Sequence, residues 1–288
     1  MRTNIINSED PMAGDIIVKN AESDYDRKRL TLIVDNINFL NQNFPEFRQE
    51  IIYSKENEIG LRALPGTCLF VTDAFIEYPK KEWVIDSIAA NLNLLQIKPV
   101  KRSLGLWLRV KLIKPFLMGL LVGCKYSPTY LKHIASLLFG KHQWVYSHGD
   151  FTENNFVLDH ETQSVWVIDW ENLRVRPKYY DDFHLIFHYC TPIFEMGWQT
   201  IFAKKKFQSV PKDELFKPET HTTAILMLFY LYYIETYRSQ RPDIIARSGK
   251  FPGKDTNYFE QRAVIRYQNL EYLSVYSNWS EWLSSLLD

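Results

Sequence analysis

The sequence is short of the features that usually settle a protein's class. Its three cysteines, Cys68, Cys124 and Cys190, stand far apart in 288 residues. They make neither a metal-ligand spacing nor an even-numbered disulfide set, so the expected setting is a reducing cytoplasm. Lysine plus arginine and aspartate plus glutamate balance at 34 each. That balance removes the overall basic field that nucleic-acid binding requires. Residues Met1 to Asn7 lack the apolar run of a signal peptide. Glycine is scarce: there are 11 in all, and the only one before Lys19 is Gly14.

Long apolar runs are also missing. Leu112 to Cys124 is interrupted by Lys114 and Pro115, and Ile225 to Ile234 is short. Neither reaches the roughly 20 residues that a membrane-crossing helix needs. Both read as buried helices, and no transmembrane segment is expected. Trp107 to Lys114 interleaves basic and apolar residues and is a candidate for contact with a membrane surface.

What is present is aromatic and locally organised. Aromatic residues make up 15% of the chain, enough for a core with many large anchors. The most informative stretch is His148-Gly149-Asp150-Phe151-Thr152-Glu153-Asn154-Asn155, followed by Val167-Ile168-Asp169-Trp170-Glu171. Between its halves lie two short apolar runs, Phe156 to Leu158 and Val165 to Ile168, separated by a polar, turn-like segment. This is a hairpin pattern. With its midpoint near Thr162, the hairpin places Asn155 and Asp169 side by side at its open ends, at the roughly 5 Å spacing of antiparallel partners. An amide oxygen and a carboxylate so placed suit one hard cation such as Mg²⁺. Asp150 sits one short loop upstream. Singly, Asp and Asn near a hairpin are turn formers. In this order and spacing they match a phosphoryl-transfer site, where one Asp orients the attacking hydroxyl and an Asn and a second Asp hold the metal on the nucleotide phosphates.

His-Gly-Asp-x-x-x-x-Asn followed by Ile-Asp-Trp-Glu resembles the aminoglycoside phosphotransferase and choline kinase family, the small-molecule branch of the protein-kinase-like fold. The resemblance spans roughly residues 15 to 190 and is densest from 146 to 183. It implies an α+β, bilobal fold. Residues 1–66 would form a reduced N-terminal β-sheet lobe, and 67–288 a large, mostly helical C-terminal lobe. It implies ATP and Mg²⁺ as cofactors and a small molecule bearing a hydroxyl as acceptor. Asp150 would be the catalytic base, Asn155 and Asp169 the Mg²⁺ ligands, and His148 a brace for the loop. Glu171 stands where relatives often carry an acid that tunes the metal or substrate side. The wording His-Gly-Asp-Phe-Thr is similar to relatives associated with surface-polysaccharide synthesis, which makes a sugar the leading acceptor. An aminoglycoside or amino alcohol comes next.

The remaining site residues are read along the chain. Asp15 to Lys19 predicts a strand ending on a lysine, and in kinase-like folds such a lysine holds the α and β phosphates and pairs with a helix acid. A helix is expected from Asp26 to Asn43, with Leu30, Ile33, Val34, Ile37 and Leu40 at helical spacing and Asp24 or Asp26 as its cap. Asp35 is the aligned partner for Lys19, with Glu22 and Asp24 as rivals. Strands at 50–54 and 59–64 lead into Pro65-Gly66, a stiff elbow. The resemblance makes this the hinge, with Arg62, Ala63 and Leu64 contacting the adenine. Helices are expected at 81–96, 104–121, 128–139 and 223–238, and again between 258 and 287. Asp182, with Asp181 as the alternative, would cap a helix and, by the resemblance, bond back to the catalytic loop. Lys204 to Lys206 reads as an exposed run, and Arg247 to Lys254 as a surface loop. The missing glycine loop over the phosphates predicts either an altered clamp or an inactive binding protein.

Overall fold

The computed structural model describes residues 1–6, 15–47, 49–68, 82–97, 100, 106–188, 192, 198–241 and 255–287. They fall into two compact units. The first comprises Met1–Lys98 and Tyr146–Arg174, and the second Pro99–Val145 and Val175–Asp288.

The first unit opens with strands β1 (Arg2–Ile6) and β2 (Ile16–Asn20). Helix α1 (Asp24–Asn43) follows, then β3 (Ile51–Lys55) and β4 (Glu58–Arg62). The four strands form one antiparallel sheet in the order β1-β2-β4-β3. Sequence patterning does not announce β1. It pairs residue for residue with β2, Thr3 opposite Lys19. Gly14 and the rest of 7–14 lie outside the described residues. The helix begins two residues earlier than expected, because Ser23 is its cap: the Ser23 hydroxyl accepts the Asp26 N–H. Leu30, Ile33 and Ile37 of α1 pack on Ile59 and Leu61 of β4. Period 3.6 on the helix meets period 2 on the strand, and that fixes which face of each is inward.

After β6 (Trp144–Ser147), the rest of this unit is built on a hairpin, β7 (Phe156–Asp159) with β8 (Ser164–Val167). A short strand, β5 (Thr67–Cys68), adds to its edge through Thr67 opposite Leu158. Helix α2 (Glu82–Ile97) is tied to β8 at two points. The Ser87 hydroxyl accepts the Val165 N–H, and the Asn91 amide donates to the Val165 carbonyl. At the elbow Gly66 has φ +119°, and a Cβ there would lie 2.1 Å from the Leu158 carbonyl oxygen. Only glycine fits that approach.

The second unit is mostly helical. In chain order it holds α3 (Leu106–Leu112), α4 (Lys114–Leu121), α5 (Pro128–Phe139), α6 (Tyr180–His188) and α7 (Trp198–Phe207). These are followed by α8 (Lys212–Leu215), α9 (Pro218–Ser239), α10 (Thr256–Leu273) and α11 (Tyr276–Leu287). Helix α9 is the axis of the unit, packed against α4, α5, α6, α8 and α10. The single helix expected from 104 to 121 is two, because Pro115 enters the first turn of α4 and removes a donor there. Phe116 of α4 stacks on Phe229 of α9 with ring centroids 4.1 Å apart. The run Lys204 to Lys206 is not uniformly exposed: Lys206 is buried and lies 3.4 Å from the fully buried Asp182. Arg247 to Lys254 lie outside the described residues. Among the described residues no helix is long and apolar enough to cross a membrane.

Candidate active site

The hairpin does not close where its sequence midpoint suggests. Phe156 faces Val167 and Asp159 faces Ser164, so the register runs one residue short of symmetric about Thr162. Gln163 absorbs the difference with φ 52°. Asn155 therefore faces Ile168, and the Ile168 N–H donates to the Asn155 carbonyl at 2.9 Å. Asp169 comes one step later and turns out of the strand with φ 65° and ψ 53°. An aspartate held in the left-handed region is uncommon, and such residues concentrate where the surroundings fix them for a purpose.

Asp150 and Asn155 meet directly. The Asn155 amide nitrogen donates to the Asp150 carbonyl at 2.7 Å and lies 3.4 Å from Asp150 Oδ2. With the nitrogen so engaged, the amide oxygen is the atom left for a cation. His148 is fully buried and joins the two halves of the site. Its Nδ1 accepts the Asp150 N–H at 3.3 Å, and its Nε2 donates to the Ile168 carbonyl at 2.8 Å. A backbone N–H on one side and a carbonyl on the other leave only that assignment of donor and acceptor. The ring stands edge-on to Trp170 at 4.7 Å and to Phe151 at 5.8 Å. A buried ring fixed in this way sets the spacing between the Asp150 loop and the Asp169 turn. Asp150 itself keeps partial exposure, as a group meeting a substrate must.

Lys19 reaches Asp169, not a helix acid. Its ammonium lies 2.6 Å from Asp169 Oδ1. Burial works to raise the Asp169 carboxyl, but Lys19, with Arg29 further off, overrides it and holds the pKa below the ordinary aspartate value. The expected Lys19–Asp35 pair is corrected here. Asp35 is exposed on α1, as are the rivals Glu22 and Asp24. The helix turns a different face inward, carrying Arg29 and, seven residues on, Asn36. One Arg29 nitrogen spans both Glu171 carboxylate oxygens at 2.5 Å each, and Asn36 donates to the Trp170 carbonyl at 2.7 Å. Sequence reasoning misses both. The signal available is their seven-residue spacing, two helical turns, which puts them on one face.

The hinge reading also changes in part. Arg62 is the last residue of β4, opposite Ile16, and its side chain pairs with Glu50 at 2.5 Å. Ala63 and Leu64 follow β4 and precede the Pro65-Gly66 elbow. The Ala63 N–H is already given to the Asp15 carbonyl at 2.8 Å. Asp182 belongs to the second unit and sits within the first turn of α6.

Among the described residues no group of three or more His, Cys, Asp or Glu is placed to hold a metal by itself. The Asn155 amide oxygen and the Asp169 carboxylate fit Mg²⁺ in kind, since this ion takes few protein oxygens and fills its octahedron with water and phosphate.

Residues 125–206 match the phosphotransferase enzyme family. Among curated proteins nothing matches. Several solved structures share the fold. An ethanolamine kinase from Plasmodium vivax has a TM-score of 0.57 at 14% identity, over 92% of this chain and 81% of that one. The choline kinase LicA from Streptococcus pneumoniae has 0.57 at 13%, over 93% and 89%. A ternary complex of an aminoglycoside phosphotransferase with streptomycin and ATP has 0.53 at 14%, over 90% and 93%. These likenesses give the fold: α+β and protein-kinase-like, with a small antiparallel sheet and a large helical part.

Proposed function

We propose, for a chain whose residues 125–206 match the phosphotransferase enzyme family and which is by that measure a small-molecule kinase acting on a hydroxyl, that Asp150, Asn155, Asp169 and Lys19 form its working site. The observation that carries this reading is the network itself. Asn155 touches Asp150, His148 ties Asp150 to Ile168, and Lys19 closes on Asp169.

In this reading Asp150 accepts a hydrogen bond from the acceptor hydroxyl and takes its proton as the γ-phosphoryl group of ATP transfers. Asn155 and Asp169 hold Mg²⁺, which when bound neutralises charge on the nucleotide phosphates. Lys19, anchored by Asp169, adds its ammonium to the same phosphates. Arg29 keeps Glu171 in place beside the Asp169 turn. Ala63 and Leu64 offer backbone to the adenine, with the lobe boundary at 66. A sugar or polysaccharide intermediate is the leading acceptor, on the wording of residues 148–152. The choline and ethanolamine kinases among the similar folds make an amino alcohol the runner-up. The setting is cytoplasmic.

The test is ATP turnover over a panel of sugars, amino alcohols and aminoglycosides, with wild type and Asp150→Asn. Turnover with at least one acceptor is expected. Its loss in the variant should be about 10²- to 10⁴-fold, the usual range for a general base. A positive thermal shift with Mg-ATP should accompany it and shrink in Asp169→Ala. If wild type neither binds nor turns over nucleotide, the alternative stands: an inactive kinase-like binding protein, in keeping with Gly14 being the sole glycine before Lys19.

A further inference from the structure

Between Asp86 and Asp150 the sequence contains no aspartate or glutamate, but nine lysines and arginines. At the chain's average density of acids a stretch of that length would carry about seven. The balanced charge of the whole protein hides this one-signed segment. It builds helices α3, α4 and α5.

The same helices expose large apolar side chains. Phe116 of α4 and Tyr130 of α5 both pack on Phe229 of α9, so each helix turns its opposite face away from that core. On α4 the outward face carries Leu117, Leu120 and Leu121, the last 78% exposed. Their spacing of three and four residues makes one stripe. On α5 Leu131, Ala135 and Phe139 recur every four residues and are all exposed, Phe139 at 76%. Val110 adds to the patch from α3. Lys111, Lys114 and Lys132 stand exposed among these residues. Exposed rows of large apolar side chains on helices that both pack against α3 mark an interaction surface.

We propose that the outward face of α3, α4 and α5 is a docking surface for an anionic lipid bilayer. The aliphatic and aromatic side chains would enter the boundary between headgroups and acyl chains, and the lysines would meet the lipid charge. Charge decides among the occupants. A second copy of this chain would bring the same exposed Lys111, Lys114 and Lys132, and like charges facing across a two-fold interface repel. An anionic bilayer complements both the charge and the apolar stripe. It also needs no spanning helix, in keeping with the described helices.

The experiment is flotation of the full chain with vesicles of phosphatidylcholine alone and of phosphatidylcholine with phosphatidylglycerol. Wild type should float with the anionic vesicles, stay behind with the neutral ones, and be released by high salt. Lys111→Gln/Lys114→Gln/Lys132→Gln should lower the partition coefficient about a hundredfold, at roughly a factor of five per lysine. Leu117→Gln/Leu121→Gln should lower it at least tenfold. All five positions are exposed, so both variants should unfold at the wild-type temperature. The proposal falls if wild type shows no preference for anionic vesicles, or if both variants float as wild type does. It also falls if the patch proves to be a contact between copies: a dimer by light scattering that Leu121→Gln dissolves, with no vesicle binding. Vesicle binding needs no turnover, so this result is independent of the proposed kinase activity.

Discussion

The Lys19 ammonium lies 2.6 Å from the Asp169 carboxylate, across 150 positions of sequence. The pair joins the four-stranded sheet to the turn that follows the hairpin. It also opposes the burial that works to raise the Asp169 carboxyl. Lys19→Met should therefore raise the Asp169 pKa, since the largest opposition to burial is then gone and only the weaker pull of more distant charges such as Arg29 is left. Carboxyl NMR titration of wild type and variant measures this directly. The sign for stability follows. A carboxyl held low in the folded state contributes stability above the unfolded pKa of about 3.9 and loses it as pH falls below that value. Lys19→Met should flatten this part of the acid limb. An unchanged Asp169 titration would show that the contact does not set its charge.

Arg29 and Glu171 supply the second prediction. Their contact ties α1 to the segment after Asp169, and both side chains are largely shielded. A double-mutant cycle with Arg29→Ala and Glu171→Ala should give a coupling of about 1 kcal/mol, more than an exposed pair supplies. Asp35→Ala, on the exposed face of the same helix, should change stability by less than about 0.5 kcal/mol. It should leave turnover at the wild-type level. Reduced turnover in Asp35→Ala with Arg29→Ala active would restore the helix acid as the partner of Lys19.

How far these elements can be read in the sequence depends on how local their causes are. The hairpin is a local object, and its β-forming runs and polar turn are contiguous, so its two strands are legible in the sequence, as is the short loop in which Asn155 meets Asp150. The register differs by one because Gln163 takes a positive φ, a choice the turn makes and the composition does not announce. Ser23 competes as a cap with the acids after it, and any of them suits a helix start. Asp35 is the acid that the family pattern favours. The helix phase, which the sheet sets through Leu30, Ile33 and Ile37, turns Arg29 and Asn36 inward instead. Lys206 reads as one of three solvated lysines, and only α7 packing near Asp182 buries it.

Gly66 gives the third prediction. Its φ of +119° and the 2.1 Å approach of an added methyl to the Leu158 carbonyl leave no room for a side chain. The blocking atom is backbone, and it belongs to the strand that leads out of Asn155. Gly66→Ala should destabilise the protein by roughly 2 kcal/mol or more, from strain in φ together with displacement of the β5–β7 edge. Gly123, also at positive φ but with open space around its Cβ position, is the control. Gly123→Ala should lose only the backbone part, on the order of 1 kcal/mol. Equal losses by denaturant titration would mean that the close approach at Leu158 relaxes freely.

The fourth prediction concerns acid. His133 is buried, shares a hydrogen bond of 3.0 Å with the Thr222 hydroxyl, and stands edge-on to His221 with centroids 4.7 Å apart. Burial, then the neighbouring His221, then Lys132 push its pKa down to about 4, against a weaker opposing hydrogen bond with the Ser274 backbone. In the unfolded chain the same ring takes a proton near pH 6.5. Between those two values the unfolded state binds the proton and the folded state refuses it, so stability must fall as pH falls through that window. The full loss from this one ring is about 3 kcal/mol. Burial also pushes His142 and His221 down, so they add to the slope in the same sense. His133→Gln keeps a polar partner for Thr222 and removes one titrating group. Its unfolding free energy, measured from pH 7 to pH 4, should fall less steeply than that of wild type by up to one proton. Parallel curves would mean that His133 is protonated inside the fold as readily as outside it.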